Sequence, residues 1–159
     1  MPDPYLIVLK LLARLPWAMV QKLGAFVGWV LWYCAPQRRK VARINLAICF
    51  PELPKTERIA LAKRSLIEGG KTLAECSHVW LRDYEEVAAR IDDSDALALM
   101  EQLAAANKAV LFATPHIGNW EVAGLFIGKH MPITSLYKPV DTELERVVKA
   151  ARERTGATL

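Results

Sequence analysis

His116 and Glu121 lie five positions apart, at the point where an apolar run gives way to polar residues. The run, residues 109–114, carries no charge and has the length of a buried strand, and apolar residues at helical spacing resume after Glu121. On one continuous helix, residues five apart point about 140° away from each other, at ~3.6 residues per turn. The two side chains can therefore meet only if His116 lies in a turn bent at Gly118 and Glu121 lies in the first helical turn. A carboxylate that holds an imidazole stabilises its charged form, and such a pair is typical of a general base.

Taken alone, such a pair is more often structural, a partly buried histidine followed by a first-turn acid. Residues 116–121, His-Ile-Gly-Asn-Trp-Glu, resemble the His-x4-Asp/Glu motif of glycerolipid-type acyltransferases. Within that group, their sequence is closely similar to the motif of the lipid A lauroyl/myristoyl acyltransferases of Gram-negative inner membranes. Three flanking segments resemble the same family, one of them with Lys138 where the family has Arg. They are Arg43-Ile44-Asn45-Leu46 with Cys49-Phe50-Pro51, Tyr137-Lys138-Pro139, and Arg152-Glu153-Arg154-Thr155-Gly156.

The resemblance implies an enzyme that moves an acyl chain from an acyl-carrier-protein or coenzyme A thioester directly to a hydroxyl of a lipid A precursor. His116 would act as general base and Glu121 would hold the imidazole, without cofactor or metal. The enzyme would work at the inner membrane with its site facing the cytoplasm. Five further residues are substrate-binding candidates, some as donors to the oxyanion of the reaction: Gly118, Asn119, Lys138, Arg152 and Arg154.

Other functions stay open. A relative that acylates another glycolipid, such as a phosphatidylinositol mannoside, would carry the same motifs, and an inactive membrane-bound fragment would carry them without catalysis. A serine hydrolase is disfavoured because no serine lies in a Gly-x-Ser-x-Gly elbow. A zinc enzyme is disfavoured because no His-Glu-x-x-His pattern is present, and no Gly-rich phosphate loop occurs.

Composition favours an anionic membrane surface as a partner. Of the 159 residues, 53% are hydrophobic, and the formal net charge is +4. Residues 1–75 carry 12 Lys/Arg against 5 Asp/Glu, whereas residues 76–159 carry 9 against 12. A basic, apolar N-terminal half fits anionic lipid head groups, and no nucleic-acid motif accompanies the charge. The three cysteines have no paired spacing, which indicates reduced, buried thiols.

Residues 5–35 are the segment most suited to contact a membrane. Their longest charge-free run, residues 23–36, is shorter than the ~20 residues that a spanning helix needs. Three readings remain: one long spanning helix with snorkelling cations, a hairpin in the interface broken at Pro16 or Gly24, or a core helix of a soluble domain. Aromatic residues suited to the head-group level occur along the segment, and a basic cluster that favours the cytoplasmic side follows it: Trp17, Trp29, Trp32 and Tyr33, then Arg38, Arg39, Lys40 and Arg43.

Helix and strand patterns predict an α/β protein. Helices are expected over 37–50 and 56–81, with a close helix crossing at Gly69-Gly70, then over 94–106, from the active-site turn to 129, and over 143–154 with a stop at Gly156. Strands are expected at 87–91, 109–114, 131–137 and from 157. We therefore expect membrane-associated helices followed by an incomplete, mainly parallel α/β sandwich. The predicted segments are a membrane anchor (1–36), a helical cover (37–83) and the N-terminal part of the acyltransferase domain (84–159). Because family members carry later strands, we expect this chain to be an N-terminal portion.

Overall fold

The computed structural model describes residues 3–92, 94–106, 109–138 and 141–159. These residues form the helices α1 (Pro4–Leu12), α2 (Trp17–Cys34), α3 (Pro36–Cys49), α4 (Lys55–Leu81), α5 (Tyr84–Ala88), α6 (Ser94–Ala105), α7 (Trp120–His130) and α8 (Glu143–Glu153). Two compact units result, Arg14–Glu75 and Met1–Ala13 with Cys76–Leu159. These units cut the chain at other points than the three segments predicted from the sequence, whose roles stay a prediction.

The predicted α/β sandwich is wrong. Across the described ranges the chain is mainly helical and forms no strand; an isolated parallel bridge joins Thr134 to Thr158. Two backbone hydrogen bonds of 2.9 Å make this bridge, from Ser135 N–H to the Thr158 carbonyl and from Thr158 N–H to the Ile133 carbonyl. Residues 109–115 belong to neither a helix nor a strand. An apolar run shows that a segment can form a strand, but a sheet also needs several neighbouring segments in register, and three or more strands are usually required.

The strand predicted at 87–91 is also wrong, because its first residues end helix α5. Acidic residues Glu85 and Glu86 occupy the first turn of α5, where they interact favourably with the helix dipole. Arg82 pairs with Glu86 at 2.8 Å, one turn apart. These local signals favour a helical turn over the strand that the apolar residues suggested.

In the unit Arg14–Glu75, helices α2 and α4 cross closely, as predicted for the glycine pair of α4. A Cβ on Gly70 would lie 2.3 Å from the Gly24 carbonyl oxygen, and a Cβ on Gly28 would lie 2.3 Å from the Leu66 carbonyl oxygen. Gly69 has open space beside it instead. The crossing is therefore confirmed and depends on Gly70, while α2 turns one face toward α4 through residues at every fourth position: Val20, Gly24, Gly28 and Trp32.

The N-terminal apolar segment is interrupted at Pro16. Helix α1 ends at Leu12, α2 begins at Trp17, and α2 continues without a break through Gly24. Of the two break points considered, the chain uses the proline, which lacks the N–H that a helix interior requires. None of the helices in the described ranges is long and apolar enough to cross a lipid bilayer.

The core of the other unit lies where the C-terminal end of α4 packs with α5 and with the middle of α7. Val79, Val87 and Leu125 are buried there, and Trp80, Tyr84 and Val122 pack against them. Helix α8 contacts α7 and α1. It begins at Thr142, whose hydroxyl accepts the Glu145 N–H at 3.1 Å, and it is stopped by Gly156 at a φ of +102°, as predicted. This packing brings α8 alongside the first turn of α7.

Candidate active site

The turn before α7 has the shape that the sequence predicts. Gly118 has a φ of +57°, a conformation that glycine adopts without steric cost. His116 lies in this turn, and Glu121 is the second residue of α7. The His116 ring is exposed and packs against the Trp120 ring, with centroids 4.6 Å apart and planes tilted by 53°. The indole therefore supports the imidazole from the start of the helix while leaving it open to a substrate.

Glu121 is a buried carboxylate held by hydrogen bonds from neighbouring side chains. Arg152 donates from Nε to Oε2 at 2.9 Å and from Nη2 to Oε1 at 2.6 Å, a bidentate pair. The Trp80 indole N–H donates to Oε2 at 3.1 Å. Only 6% of the Glu121 side chain is exposed, against 33% of the Arg152 side chain. A charged acid in such a place needs a partner of opposite charge, and Arg152 supplies it.

These contacts keep Glu121 ionised. Burial is the largest influence and by itself would raise the pKa of the Glu121 carboxyl. The hydrogen bonds from Arg152 and Trp80 and the charge of Arg152 act in the opposite direction and together hold that pKa below its ordinary value of 4.5. The same hydrogen bonding raises the pKa of Arg152 above its ordinary value.

No hydrogen bond or ion pair joins His116 to Glu121 among the residues that the structure describes. The imidazole–carboxylate contact expected from the sequence thus stays a prediction. A hydrogen bond from the Trp120 side chain also helps to lower the pKa of the Glu121 carboxyl.

The structure does not bring all the other predicted substrate-binding residues together with Glu121 and Arg152. Arg154 donates from Nη2 to the Val79 carbonyl at 2.7 Å, and its Nη1 lies 3.5 Å from the Trp80 carbonyl, so it holds the C-terminal end of α4. Burial lowers the pKa of the Arg154 guanidinium. Asn119 occupies the residue before α7, and its carbonyl accepts the Val122 N–H at 3.1 Å. Lys138 is an exposed residue outside the helices. Their roles as substrate ligands stay predictions.

Glu121 and Arg152 line a cavity of about 420 Å³. Its wall also includes Thr114 and Trp120, on either side of the active-site turn, but not His116. Most of the other lining side chains are apolar, and they come from residues 110–114, from residues 133–137, from α7 and from the last residues of the chain. An ionised carboxylate and a guanidinium at the wall of a largely apolar cavity are suited to a substrate with both an apolar chain and a polar reacting group.

Sequence reasoning missed two partners at this site. Trp80 lies 41 positions before Glu121, on another helix, and no motif marks it. Its only signal is general, because a partly buried indole N–H usually finds an acceptor. Glu145 accepts a hydrogen bond from the Tyr137 hydroxyl, which raises the pKa of that phenol. The sequence marks Tyr137 only as part of a family-like string and carries no signal for Glu145.

Comparison with known proteins decides the family. The family described as "Bacterial lipid A biosynthesis acyltransferase" matches residues 4–159. The chain belongs to this family. The resemblance seen in the sequence is thereby confirmed. In the part of this lipid A acyltransferase family member that the structure describes, no group of His, Cys, Asp or Glu side chains is arranged to hold a metal ion.

Individual relatives carry matching names. The chain is 25% identical over 137 residues to the lipid A biosynthesis lauroyltransferase of Escherichia coli (strain K12), covering 86% of this chain and 44% of that protein. It is 26% identical over 153 residues to the palmitoleoyltransferase of the same organism, covering 96% of this chain and 50% of that protein. The myristoyltransferase is 29% identical over 104 residues, covering 65% and 30%. The chain thus spans half or less of the length of these relatives. No solved structure matches it significantly.

Proposed function

We propose that this protein transfers a fatty acyl chain from a thioester, carried by acyl carrier protein or coenzyme A, to a hydroxyl of a lipid A precursor. Membership of the family and the names of the relatives support the reaction class. The structural observation that carries the proposal is the ionised, buried Glu121 clamped by Arg152 at an apolar cavity, directly after the turn that presents His116. Such a buried charge is costly to hold and clusters at functional sites.

The reaction needs a base and a donor to a developing oxyanion. His116 removes the proton of the acceptor hydroxyl as its oxygen attacks the thioester carbonyl, forming a C–O bond and a tetrahedral oxyanion. Arg152 has five N–H donors and uses two of them on Glu121, so three remain to stabilise that oxyanion. When the intermediate collapses, the C–S bond breaks, and the imidazolium returns its proton to the thiolate. No acyl-enzyme forms.

Glu121 supports this cycle by its charge. A fixed negative charge after the turn stabilises the imidazolium that forms when His116 takes up the proton. We propose that the carboxylate accepts an imidazole N–H directly once the substrate is bound, since catalytic hydrogen bonds often tighten only in the complex. Arg152 keeps the carboxylate ionised and in place.

The membrane setting is also part of the proposal. Helix α2 exposes a continuous set of apolar side chains on the face that does not pack on α4: Met19, Leu23, Phe26, Val27, Trp29 and Tyr33. The rings of Trp29 and Phe26 lie 6.2 Å apart and those of Trp29 and Tyr33 lie 4.9 Å apart. A helix with one apolar, aromatic face lies in the interface rather than across the bilayer. The basic residues of α3 favour the anionic cytoplasmic leaflet of the inner membrane.

The experiment is a transfer assay with a labelled acyl donor on matched histidine variants. His116→Ala should lower the transfer rate by about 10²–10⁴-fold, the usual contribution of a general base. His130→Ala is the control, because His130 is exposed at the other end of α7 and contacts Phe126. Circular dichroism checks the fold of both. A folded His116→Ala protein that transfers acyl chains as fast as the His130→Ala protein would contradict the assignment.

A further inference from the structure

A strongly basic cleft lies within the unit Arg14–Glu75, between one face of α3 and the first turn of α4. It encloses about 460 Å³. Five of its nine lining residues are cationic: Arg39, Lys40 and Arg43 from α3, Lys55 and Arg58 from α4. Arg39 and Lys40 lie four and three positions before Arg43, so all three are neighbours on one side of the helix.

No acid neutralises this cleft. Its lining contains no Asp or Glu, and across the described ranges none of its five cations forms an ion pair with a carboxylate. Cations held this close without counter-charges repel one another, at a cost that an anion bound between them would remove.

The cleft is built before any ligand arrives. Arg39 donates to the Trp32 carbonyl at 3.3 Å, and its guanidinium lies 5.8 Å from the centroid of the Trp32 ring, on α2. Arg58 donates to the carbonyls of Phe50 and Pro51, at 3.3 and 3.0 Å, and so fixes the link between α3 and α4. Each arginine uses one nitrogen in these contacts and keeps other N–H donors. Two walls of the cleft are thus held in place by residues that can still bind an anion.

From these observations we infer that the cleft is a binding site for a phosphate group. Arginine forks match phosphate oxygens in pairs, and lysines add charge. The cavity is larger than one phosphate, so it also accommodates part of the glycerol or sugar that carries it. Ile44 and Ile59 line the cleft, and Ile48, one turn beyond Ile44, is exposed. Apolar side chains beside the cations favour a lipid-borne phosphate over a free one.

This inference deepens the proposed function, and it rests on that function for the membrane setting. The binding measurements below involve no acyl transfer. A failure of phosphate binding would therefore leave the transfer reaction standing, and a failure of transfer would leave the cleft standing.

The test compares two double variants of the full chain that remove the same charge. Arg43→Gln with Lys55→Gln empties part of the cleft, and neither residue holds backbone atoms as Arg39 and Arg58 do. Arg38→Gln with Arg64→Gln is the control, because both side chains are exposed in the same unit and neither lines the cleft. Binding is measured by sedimentation with phosphatidylcholine vesicles containing phosphatidic acid, and by calorimetry with soluble sn-glycerol 3-phosphate.

We expect the cleft variant to lose at least about tenfold more affinity for phosphatidic acid vesicles than the control variant, because it loses hydrogen bonds to the phosphate as well as charge. Detectable binding of glycerol 3-phosphate that the cleft variant alone loses would show that the site also takes a free phosphate; vesicle binding without it would show that the lipid is required. Equal losses in the two variants would mean diffuse surface charge and would overturn the proposal.

Discussion

Arg152→Gln is the change that tests most directly how Glu121 is held. The substitution leaves the Glu121 carboxylate, 6% exposed, without its cation and without two hydrogen bonds. Removing one partner of a fully buried ion pair costs about 3–5 kcal/mol. Because 33% of the Arg152 side chain is exposed, water replaces part of the lost interaction, and we expect a loss of about 2–3 kcal/mol in the free energy of unfolding.

The matched control lies on the same helix. Arg146 pairs with Asp141 at 3.3 Å, with side chains 74% and 95% exposed. Exposed pairs of this kind contribute about 0–1 kcal/mol, so Arg146→Gln should change stability little. Both variants are unfolded in urea and followed by far-ultraviolet circular dichroism at pH 7. The interpretation of the pair as a buried clamp would be refuted if Arg152→Gln cost no more than Arg146→Gln.

A double-mutant cycle separates the pair from its surroundings. Glu121→Gln keeps the shape of the side chain and an oxygen that can accept from Trp80. In the double variant with Arg152→Gln, no unpaired charge remains buried, so the combined loss should be smaller than the sum of the single losses by about 1–3 kcal/mol. Additivity within about 0.5 kcal/mol would show that the two residues act independently.

The lowered pKa of Glu121 also predicts how the free energy of unfolding depends on pH. The folded protein holds the pKa of Glu121 below its ordinary value of 4.5, so between those two pKa values the unfolded chain binds more protons. Stability from this carboxylate is therefore fully present above about pH 4.5 and is lost as the pH falls through the lower, folded-state pKa. Glu121→Gln should lack that acid-sensitive component, so its unfolding free energy should fall less steeply below pH 4.5 than that of the unmodified protein. Parallel pH profiles for the two proteins would contradict this.

Two further predictions concern the unit Arg14–Glu75. Gly70→Ala should destabilise it by about 1–3 kcal/mol, because the new Cβ would meet the Gly24 carbonyl oxygen at 2.3 Å. Gly69→Ala should stabilise it by up to about 1 kcal/mol, since open space surrounds that position. Urea unfolding measures both changes, and equal effects would contradict the close crossing. Phe26→Asp, on the exposed face of α2, should lower sedimentation with lipid vesicles severalfold, because an apolar contact with the lipid is lost. Leu73→Asp is the control, since Leu73 is exposed on α4, and it should not lower sedimentation. The same loss in both variants would contradict the assignment of α2 as the membrane contact.

Most helices and the active-site turn could be predicted because their signals are local. Gly118 and Gly156 mark positive-φ positions, and Pro16 marks the break between α1 and α2. The crossing at Gly70 was predicted from the glycine pair alone, although the sequence does not say which of the two glycines faces the neighbouring helix. In each case a single residue type restricts the backbone, so no distant partner has to be known.

The absence of a sheet and the partners of Glu121 could not be predicted because both depend on distant segments. Residues 109–115 have the composition of a strand, yet no described segment pairs with them. Trp80 and Arg152 reach Glu121 from 41 positions before and 31 positions after it. Side chains from three helices meet there only once α4, α7 and α8 have packed, and no sequence pattern predicts this packing.

The two arginines near the end of α8 show how far a motif alone can lead. Read as the family-like string Arg-x-Arg-x-Gly, Arg152 and Arg154 are equivalent candidates for the oxyanion. On the helix they are only two positions apart, so they point in different directions and cannot serve one site in the same way. Arg152 turns to the Glu121 carboxylate and the cavity, while Arg154 turns to the last carbonyls of α4, which lack helical partners. Arg152 is therefore the arginine to which we assign the chemistry, and Arg154 joins α8 to the helix that carries Trp80.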